Sequence, residues 1–302
     1  MTHDRRGLGA AACAMLSRIV THPGGAHKDE LLAACVLVAK HPVPVHRREP
    51  TAEDLSDEAV AVLDVGGQHD PQRMNFDHHH FDREHPPTCC LSLLLQHLGL
   101  YEDALQFCDW LPTAEWFDSR GPNATAQWLG VPRRAVSQLN SPIDMTLLRG
   151  FARGTLHRPG DTIYEYMRLV GQDLLDFLAD ARARLDYVAQ RVSRWTLQRQ
   201  DHELQIIFLP RSEPAADEPS RAVASYVRAE GLHESVGALV YPDRRGTGYG
   251  ISRYEDFAGL DFSKVEAEAD VHFAHKRGFM CKTSATSAAR LQELIQAAWQ
   301  PT

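Results

Sequence analysis

The sequence predicts an α/β protein, with a mostly parallel sheet that carries helices on both faces and a second, smaller α+β lobe. The first half of the chain alternates strand-like and helix-like stretches, which is typical of a parallel sheet covered by helices. A new strand pattern opens at residues 204–209, after a long helical stretch. The length of 302 residues is that of about two domains. We therefore predict a first domain over residues 1–150, a helical connector over 151–195 and a second domain over 196–302.

Each predicted strand of the first domain leads into polar residues that could do chemistry. A β-branched run over 17–21 runs into a glycine loop, and residues 29–40 then form a buried helix with an acidic first turn. Further short strands are predicted at 43–46, 59–63 and 74–76. Because ligands bind beyond the carboxyl ends of parallel strands, we expect the polar residues that follow these strands to converge.

The remaining elements are predicted from helical periodicity and from helix breakers. Helices are predicted over 87–99 and 102–117, and the second of them ends at the breaker cluster 118–122. Long helices are expected over 160–200. The second domain is predicted to contain strands at 204–209, 236–241, 249–252 and 271–275, and helices at 220–230 and 284–299.

Composition and charge exclude several classes of protein. With 43% hydrophobic and 24% charged residues, the chain is globular in composition. The formal net charge of -8 provides no global basic field for nucleic acid, so a phosphate-bearing ligand must be held locally. The six cysteines form no CxxC pair, which favours a reducing compartment, and no apolar run is long enough to span a membrane.

The start of the chain bears on its location. The stretch from Arg5 to Met15 resembles a secretion signal only weakly, and the first core strand is predicted to begin at Ser17 or Arg18. Cleavage after this stretch would leave almost no residues before the first strand of the core. We therefore expect a cytoplasmic protein.

Histidine is concentrated in one third of the chain. Ten of the 16 histidines lie between His22 and His97 and three are consecutive, which indicates either metal binding or an accident of composition. The polar clusters that could act together are His22 with His27 and Asp29, then Asp64, then Asp77 with His78 and His79, and finally Asp118. Imidazole and carboxylate ligands without thiolate favour two octahedral ions such as Mn²⁺ over a tetrahedral structural zinc.

Three motifs in order resemble those of a known family. They are THPGGAHKDE at 21–30, DVGGQHDP at 64–71 and NFDHHH at 75–80. They are similar to the motifs of the DHH phosphoesterase superfamily, and most closely to those of its Myg branch. The resemblance covers about the first 120 residues and returns at 270–283, DVHFAHKRGFMCKT.

The resemblance implies a set of metal ligands. They are His22, His27, Asp29, Asp64, His78 and Asp118. Both histidines of the first motif would hold one ion, Asp64 would bridge, and the other three residues would hold the second ion. Asp109 competes with Asp118, which we favour because it precedes Ser-Arg-Gly-Pro, where a helix must stop.

The resemblance also implies catalytic and substrate-contacting residues. Asp77 would orient His78, as carboxylates commonly do for metal-bound imidazoles. His79 would face the substrate phosphate and give a hydrogen bond or a proton to the leaving oxygen. The candidates for substrate contact are Arg120, Arg253, His275 and Arg277, of which Arg120 is equally compatible with a plain surface role.

These residues predict a metal-dependent hydrolase that cleaves phosphodiester bonds. By resemblance, the first domain is the catalytic one, the second binds substrate, and the protein is an exonuclease on short RNA or single-stranded oligonucleotides. The alternatives are a small-molecule phosphoesterase or pyrophosphatase, and a metal-dependent binding module without turnover. We expect two divalent ions, Mn²⁺ first with Mg²⁺, Co²⁺ and Zn²⁺ as alternatives, and a nucleotide or oligonucleotide partner. No membrane partner is expected, and the oligomeric state stays open, a homodimer included.

Overall fold

The computed structural model describes residues 15–138 and 140–300 of the chain. These residues divide into two compact units, with the division between Leu178 and Ala179. That position falls within residues 151–195, where a connector is predicted. The start of the weak signal-like stretch, residues 5–14, lies outside the described residues.

The first unit is built from short strands and from helices of 5 to 28 residues, the longest of which contains the division. Its elements are β1 (Arg18–Thr21), α1 (Lys28–Lys40), β2 (Val45–Arg47), α2 (Ala52–Ser56), β3 (Val60–Leu63), β4 (His69–Asp70), β5 (Asn75–Phe76), α3 (Cys90–His97), α4 (Tyr101–Phe107), α5 (Leu111–Trp128), α6 (Arg133–Gln138), α7 (Pro142–Arg153), β6 (Leu156–His157) and α8 (Thr162–Ala189).

The strands of the first unit form one sheet in the order β4-β5-β3-β1-β2-β6. The pairings of β1 with β2, β1 with β3 and β3 with β5 are parallel, whereas β4 and β6 pair antiparallel at the two edges. The carboxyl ends of β1, β3 and β5 therefore meet at one edge of the sheet, where the predicted site residues follow.

The core of the first unit lies between this sheet and its helices. β3 is wholly apolar and buried, and β1 contributes the buried Ile19 and Val20. The face of α1 that carries Val36 and Leu37 is also buried. α3 contributes a run of buried leucines that includes Leu94. Each fully buried leucine or valine stabilises the fold by about 1.5–3 kcal/mol, so this core gives the strand ends a rigid support.

α8 crosses α1 at a glycine, because there is no room for a side chain at that point. A Cβ atom on Gly171 would lie 1.9 Å from the carbonyl oxygen of Cys35 in α1. Gly171→Ala must therefore push the two helices apart, which costs more than the gain of about 1 kcal/mol in helix propensity. We expect a loss of about 1–3 kcal/mol in the free energy of unfolding, measured by urea denaturation.

The matched control is Gly246→Ala in the second unit, where a Cβ atom would meet nothing within 4 Å. That substitution should change the free energy of unfolding by less than about 0.5 kcal/mol. Equal stability of the two variants would contradict a close crossing at Gly171.

The second unit contains the remaining part of α8 and its own sheet. Its further elements are β7 (Ser193–Arg199), β8 (His202–Phe208), α9 (Pro219–Ala229), β9 (Val236–Pro242), β10 (Tyr249–Arg253), β11 (Val271–Ala274), β12 (Met280–Thr283) and α10 (Ala288–Ala298). The strand order is β11-β12-β10-β9-β8-β7, and every pairing is antiparallel except that of β8 with β9. Two sheets with helices confirm the α/β class.

Several elements differ from the sequence-based expectation. The single helix expected over 102–117 is divided into α4 and α5, and α2, α6 and α7 were not predicted. Helix was expected over 160–200, but α8 ends at Ala189 and Ser193–Arg199 is a strand. Its polar and apolar residues alternate, and it pairs with β8 as an edge strand of a hairpin, a tertiary contact that helical periodicity does not register. α5 resumes after the breaker cluster, with one non-helical residue at Gly121 and Pro122 restarting the helix.

None of the described helices is long and apolar enough to cross a bilayer.

Candidate metal centre

The candidate site is built on the ends of three parallel strands. His22 follows β1, Asp64 follows β3 and Asp77 follows β5. Asp64 has a left-handed backbone conformation with φ of 58°, which is uncommon for a residue other than glycine. Its N–H donates to the carbonyl oxygen of Phe76 at 2.9 Å, which holds this unusual turn against β5. Such conformations concentrate at functional sites.

The two carboxylate oxygens of Asp64 face different groups of residues. Oδ2 lies 3.6 Å from Nε2 of His22 and 3.9 Å from Nδ1 of His27. Oδ1 lies 3.3 Å from Nε2 of His78, which is 2.7 Å from Oδ2 of Asp118. Asp29 is buried beside this second group. Each group could hold a metal ion, and Asp64 is common to both.

The facing atoms of these residues are buried, and among the described residues they lie close to one another without the angles that a hydrogen bond requires. They are Nε2 of His22, Oδ1 of Asp29, both carboxylate oxygens of Asp64, Nε2 of His78 and Oδ2 of Asp118. Such orphaned polar atoms are rare in native proteins, where nearly all buried polar groups are paired. Here they converge from four segments of the chain, and imidazole and carboxylate are the ligands that divalent cations use. The donor set therefore fits two divalent ions.

The pKa shifts of the site residues also fit metal binding. Burial raises the pKa of Asp29 and of Asp64, and repulsion between the neighbouring carboxylates adds to both shifts. Burial lowers the pKa of His78, but its interactions with Asp118 and Asp64 outweigh this and raise it to about 10. The contact with Glu30 raises the pKa of His22 to about 9. Divalent ions would replace the protons that this cluster otherwise retains.

Asp77 contacts His79, whereas we expected it to orient His78. Its Oδ1 lies 2.7 Å from Nδ1 of the His79 ring and accepts from the His79 N–H at 3.0 Å. Its Oδ2 accepts from the N–H of Gly67 at 2.6 Å. The turn between the two residues brings the His79 ring back over the carboxylate, a local geometry that sequence order does not specify. Burial opposes ionisation, but these hydrogen bonds prevail and lower the pKa of Asp77.

Asp118, and not its competitor Asp109, lies in the site. It belongs to α5, one helical turn before the break at Gly121. Asp109 precedes this helix, between α4 and α5, and is exposed.

A buried ion pair behind the site was missed by the sequence analysis. Glu30 is fully buried and accepts hydrogen bonds from the Thr21 hydroxyl at 2.7 Å and from Nη2 of Arg47 at 3.2 Å. Arg47 also donates to the carbonyl oxygens of Gly24 and Gly25 at 3.0 and 3.1 Å. The pair therefore braces the loop that carries His22. The signal available in the sequence was a second acidic residue next to Asp29 on a helix that is otherwise apolar.

The predicted substrate contacts fall in both units. Nη2 of Arg253, on β10, lies 2.7 Å from Asp256, and the Arg253 N–H donates to the Phe279 carbonyl. The ring of Phe279 packs on His275, with centroids 3.8 Å apart. Nδ1 of His275 accepts from the N–H of Arg277, whose side chain is exposed. The second unit thus places these three candidates at one end of its sheet.

Arg120, for which a phosphate contact and a plain surface role were both open, lies in the first unit. Its guanidinium donates to the carbonyl oxygen of His85, in the loop that follows the three consecutive histidines. In this structure it ties that loop to α5.

The fold and the site together define an α/β protein with clustered acidic and histidine side chains that could hold metal ions. Residues 18–89 match the model of a family described as MYG1_exonuc, Uncharacterised protein family (UPF0160). The chain is also similar to the MYG1 exonuclease of Bos taurus, with 41% identity over 66 residues. That match covers 20% of this chain and 16% of the bovine protein. The residues matched by the family model include all the candidate ligands except Asp118.

Proposed function

We propose that this protein is a two-metal hydrolase that cleaves phosphodiester bonds, as an exonuclease on short RNA or single-stranded oligonucleotides. The observation that carries the proposal is the placement of the two Asp64 oxygens against two separate groups of ligand atoms. The partial similarity to a MYG1 exonuclease supports the nuclease activity, and the motifs support membership of the DHH phosphoesterase superfamily.

Each candidate ligand has a role in this proposal. His22 and His27 would hold one ion, Asp29, His78 and Asp118 the other, and Asp64 both. When bound, the ions supply the positive charge that activates a water for attack and stabilises the phosphoryl oxygens. We propose Mn²⁺ as the ion, because octahedral sites of mixed imidazole and carboxylate ligands suit it.

His79 is the proposed proton-transfer residue. Its side chain is 58% exposed, so the ring can reach a substrate, and Asp77 holds its Nδ1 at 2.7 Å. That contact holds the ring at Nδ1 and leaves Nε2 for the substrate. A protonated His79 would donate from Nε2 to the leaving oxygen, as a general acid.

The remaining assignments extend the proposal beyond the metal centre. We assign substrate binding to the domain over residues 196–302, through Arg253, His275 and Arg277, which can hydrogen-bond to phosphate oxygens. The catalytic domain is the one over residues 1–150.

The proposal predicts metal-dependent degradation of oligonucleotides. Five-nucleotide RNA and DNA substrates, labelled at either end, should lose terminal nucleotides with Mn²⁺ present and remain intact with excess EDTA. Gel analysis of the product ladder measures both rate and polarity. Readdition of Mn²⁺, Mg²⁺, Co²⁺ or Zn²⁺ after EDTA treatment then ranks the ions.

Two outcomes would contradict the exonuclease. Phosphate release from nucleotides or pyrophosphate, with oligonucleotides left intact, would indicate a small-molecule phosphoesterase. Stoichiometric Mn²⁺ binding without turnover of any of these substrates would indicate a metal-dependent binding module.

A further inference from the structure

The loop that directly follows His79 lines a concavity that is open to solvent. Its volume is about 330 Å³, at the lower end of the range for small-molecule sites. The residues that line it are His80, Phe81, Asp82, Glu84 and His85. These residues directly follow His79, the proposed proton-transfer residue, in the chain.

Aromatic rings form the wall of this concavity. The Phe81 ring lies 4.4 Å from the His85 ring at 34°, and 4.6 Å from the His80 ring at 71°. His69 packs edge-on against Phe81 at 6.0 Å. A flat ring placed on such a surface gains about 1–3 kcal/mol from stacking, as nucleobases do on aromatic side chains.

Hydrogen bonds hold this loop at both of its ends. The N–H of Phe81 donates to the carbonyl oxygen of His78 at 3.0 Å. At the other end, Arg120 donates to the carbonyl oxygen of His85, and Arg120 is two residues from Asp118. The rings are therefore ordered before a ligand arrives, which lowers the entropic cost of binding.

The charge of the lining decides which part of a nucleotide fits. Asp82 and Glu84 line the concavity with carboxylates, which repel phosphate groups. The same oxygens can accept hydrogen bonds from the amino groups of a base. An uncharged, planar and nitrogen-rich ring is thus favoured over a phosphate.

We propose that this loop is the base-binding subsite for the nucleotide whose phosphodiester bond lies at the metal centre. The inference rests on the proposed function and extends it to substrate recognition. It also gives a role to two histidines, His80 and His85, that have no place in the metal site.

The test compares oligonucleotides with and without a terminal base. The substrates are five-nucleotide strands with a normal or an abasic nucleotide at each end, incubated with Mn²⁺. We expect kcat/KM for the base-bearing end to exceed that for the abasic end by roughly 5- to 150-fold, the range that stacking allows. Phe81→Leu, which keeps an apolar side chain but removes the ring, should lower this ratio, because only the base-bearing end depends on stacking.

Controls separate recognition from folding. Tyr166→Leu removes another exposed aromatic ring of the first unit, on α8, and should retain the wild-type ratio. His80→Ala should lower the ratio in the same direction as Phe81→Leu. Equal cleavage of base-bearing and abasic ends by the wild type would overturn the subsite. An equal loss of cleavage on these two substrates in Phe81→Leu would also overturn it.

A binding measurement distinguishes failure of the subsite from failure of the proposed function. Calorimetric titration with Mn²⁺ present should show tighter binding of adenosine 5′-monophosphate than of ribose 5-phosphate, and Phe81→Leu should lose this preference. If oligonucleotides are not cleaved but the preference is found, the exonuclease proposal fails and the subsite stands. If they are cleaved without any preference, the subsite alone fails.

Discussion

Asp64→Asn should abolish oligonucleotide hydrolysis without unfolding the protein. Each carboxylate oxygen of Asp64 faces one group of candidate ligands. The amide of Asn would present N–H donors to one of these groups and would remove the negative charge of the carboxylate. We expect a decrease in kcat/KM on the order of 10³-fold or more, because loss of even a residue that supports a metal ligand costs 10- to 100-fold. Labelled oligonucleotides with Mn²⁺ measure the rate, and metal analysis should show fewer bound ions than in the wild type.

The same variant should behave differently without metal. Asp64 is buried beside Asp29 and Asp118, so the neutral amide relieves repulsion and desolvation in the metal-free protein. The melting temperature in EDTA should therefore be unchanged or higher, while the stabilisation by added Mn²⁺ should be reduced. Asp173→Asn on α8, at an exposed position, is the control and should match the wild type in every measurement. Wild-type activity in Asp64→Asn would refute the metal centre.

Glu30→Ala should destabilise the fold by about 3–5 kcal/mol, the cost of leaving one partner of a buried ion pair alone. Arg47 would keep its hydrogen bonds to Gly24 and Gly25, but its charge, on a side chain that is 1% exposed, would lose its counter-ion. The measurement is the free energy of unfolding from urea denaturation at pH 7.

An exposed ion pair provides the matched control. Lys28 and Asp144 are 2.7 Å apart with side chains 49% and 41% exposed. Asp144→Ala should cost less than about 1 kcal/mol, because solvent screens exposed pairs. The double variant Glu30→Ala with Arg47→Met should lose less stability than the sum of the two single variants. Similar losses in Glu30→Ala and Asp144→Ala would contradict a buried bracing pair.

The polar residues that follow parallel strands explain why most of the candidate site could be proposed from the sequence. His22, Asp64 and His78 are far apart in sequence, yet each directly follows a strand or begins a turn after one. Because parallel strands end at the same edge of a sheet, alternation of strands and helices was enough to bring them together. Asp118 was chosen over Asp109 on the breaker after it, and the structure places Asp118 in the cluster.

Contacts between distant residues were beyond this kind of reasoning. Glu30 and Arg47 are 17 residues apart on a helix and a strand, and no local pattern marks an ion pair between them. The strand Ser193–Arg199 was missed for a similar reason, since its pairing with β8 overrides a weak local preference.

The sequence by itself determined the types of ligand, their order and the parallel sheet that gathers them, because these follow from local periodicity and strand direction. Only the tertiary structure decided which oxygen of Asp64 faces which group, that Asp77 contacts His79 and not His78, and that Arg120 holds the loop at His85. Those choices depend on turn geometry and side-chain packing over distances of a few ångströms, which periodicity and spacing do not encode.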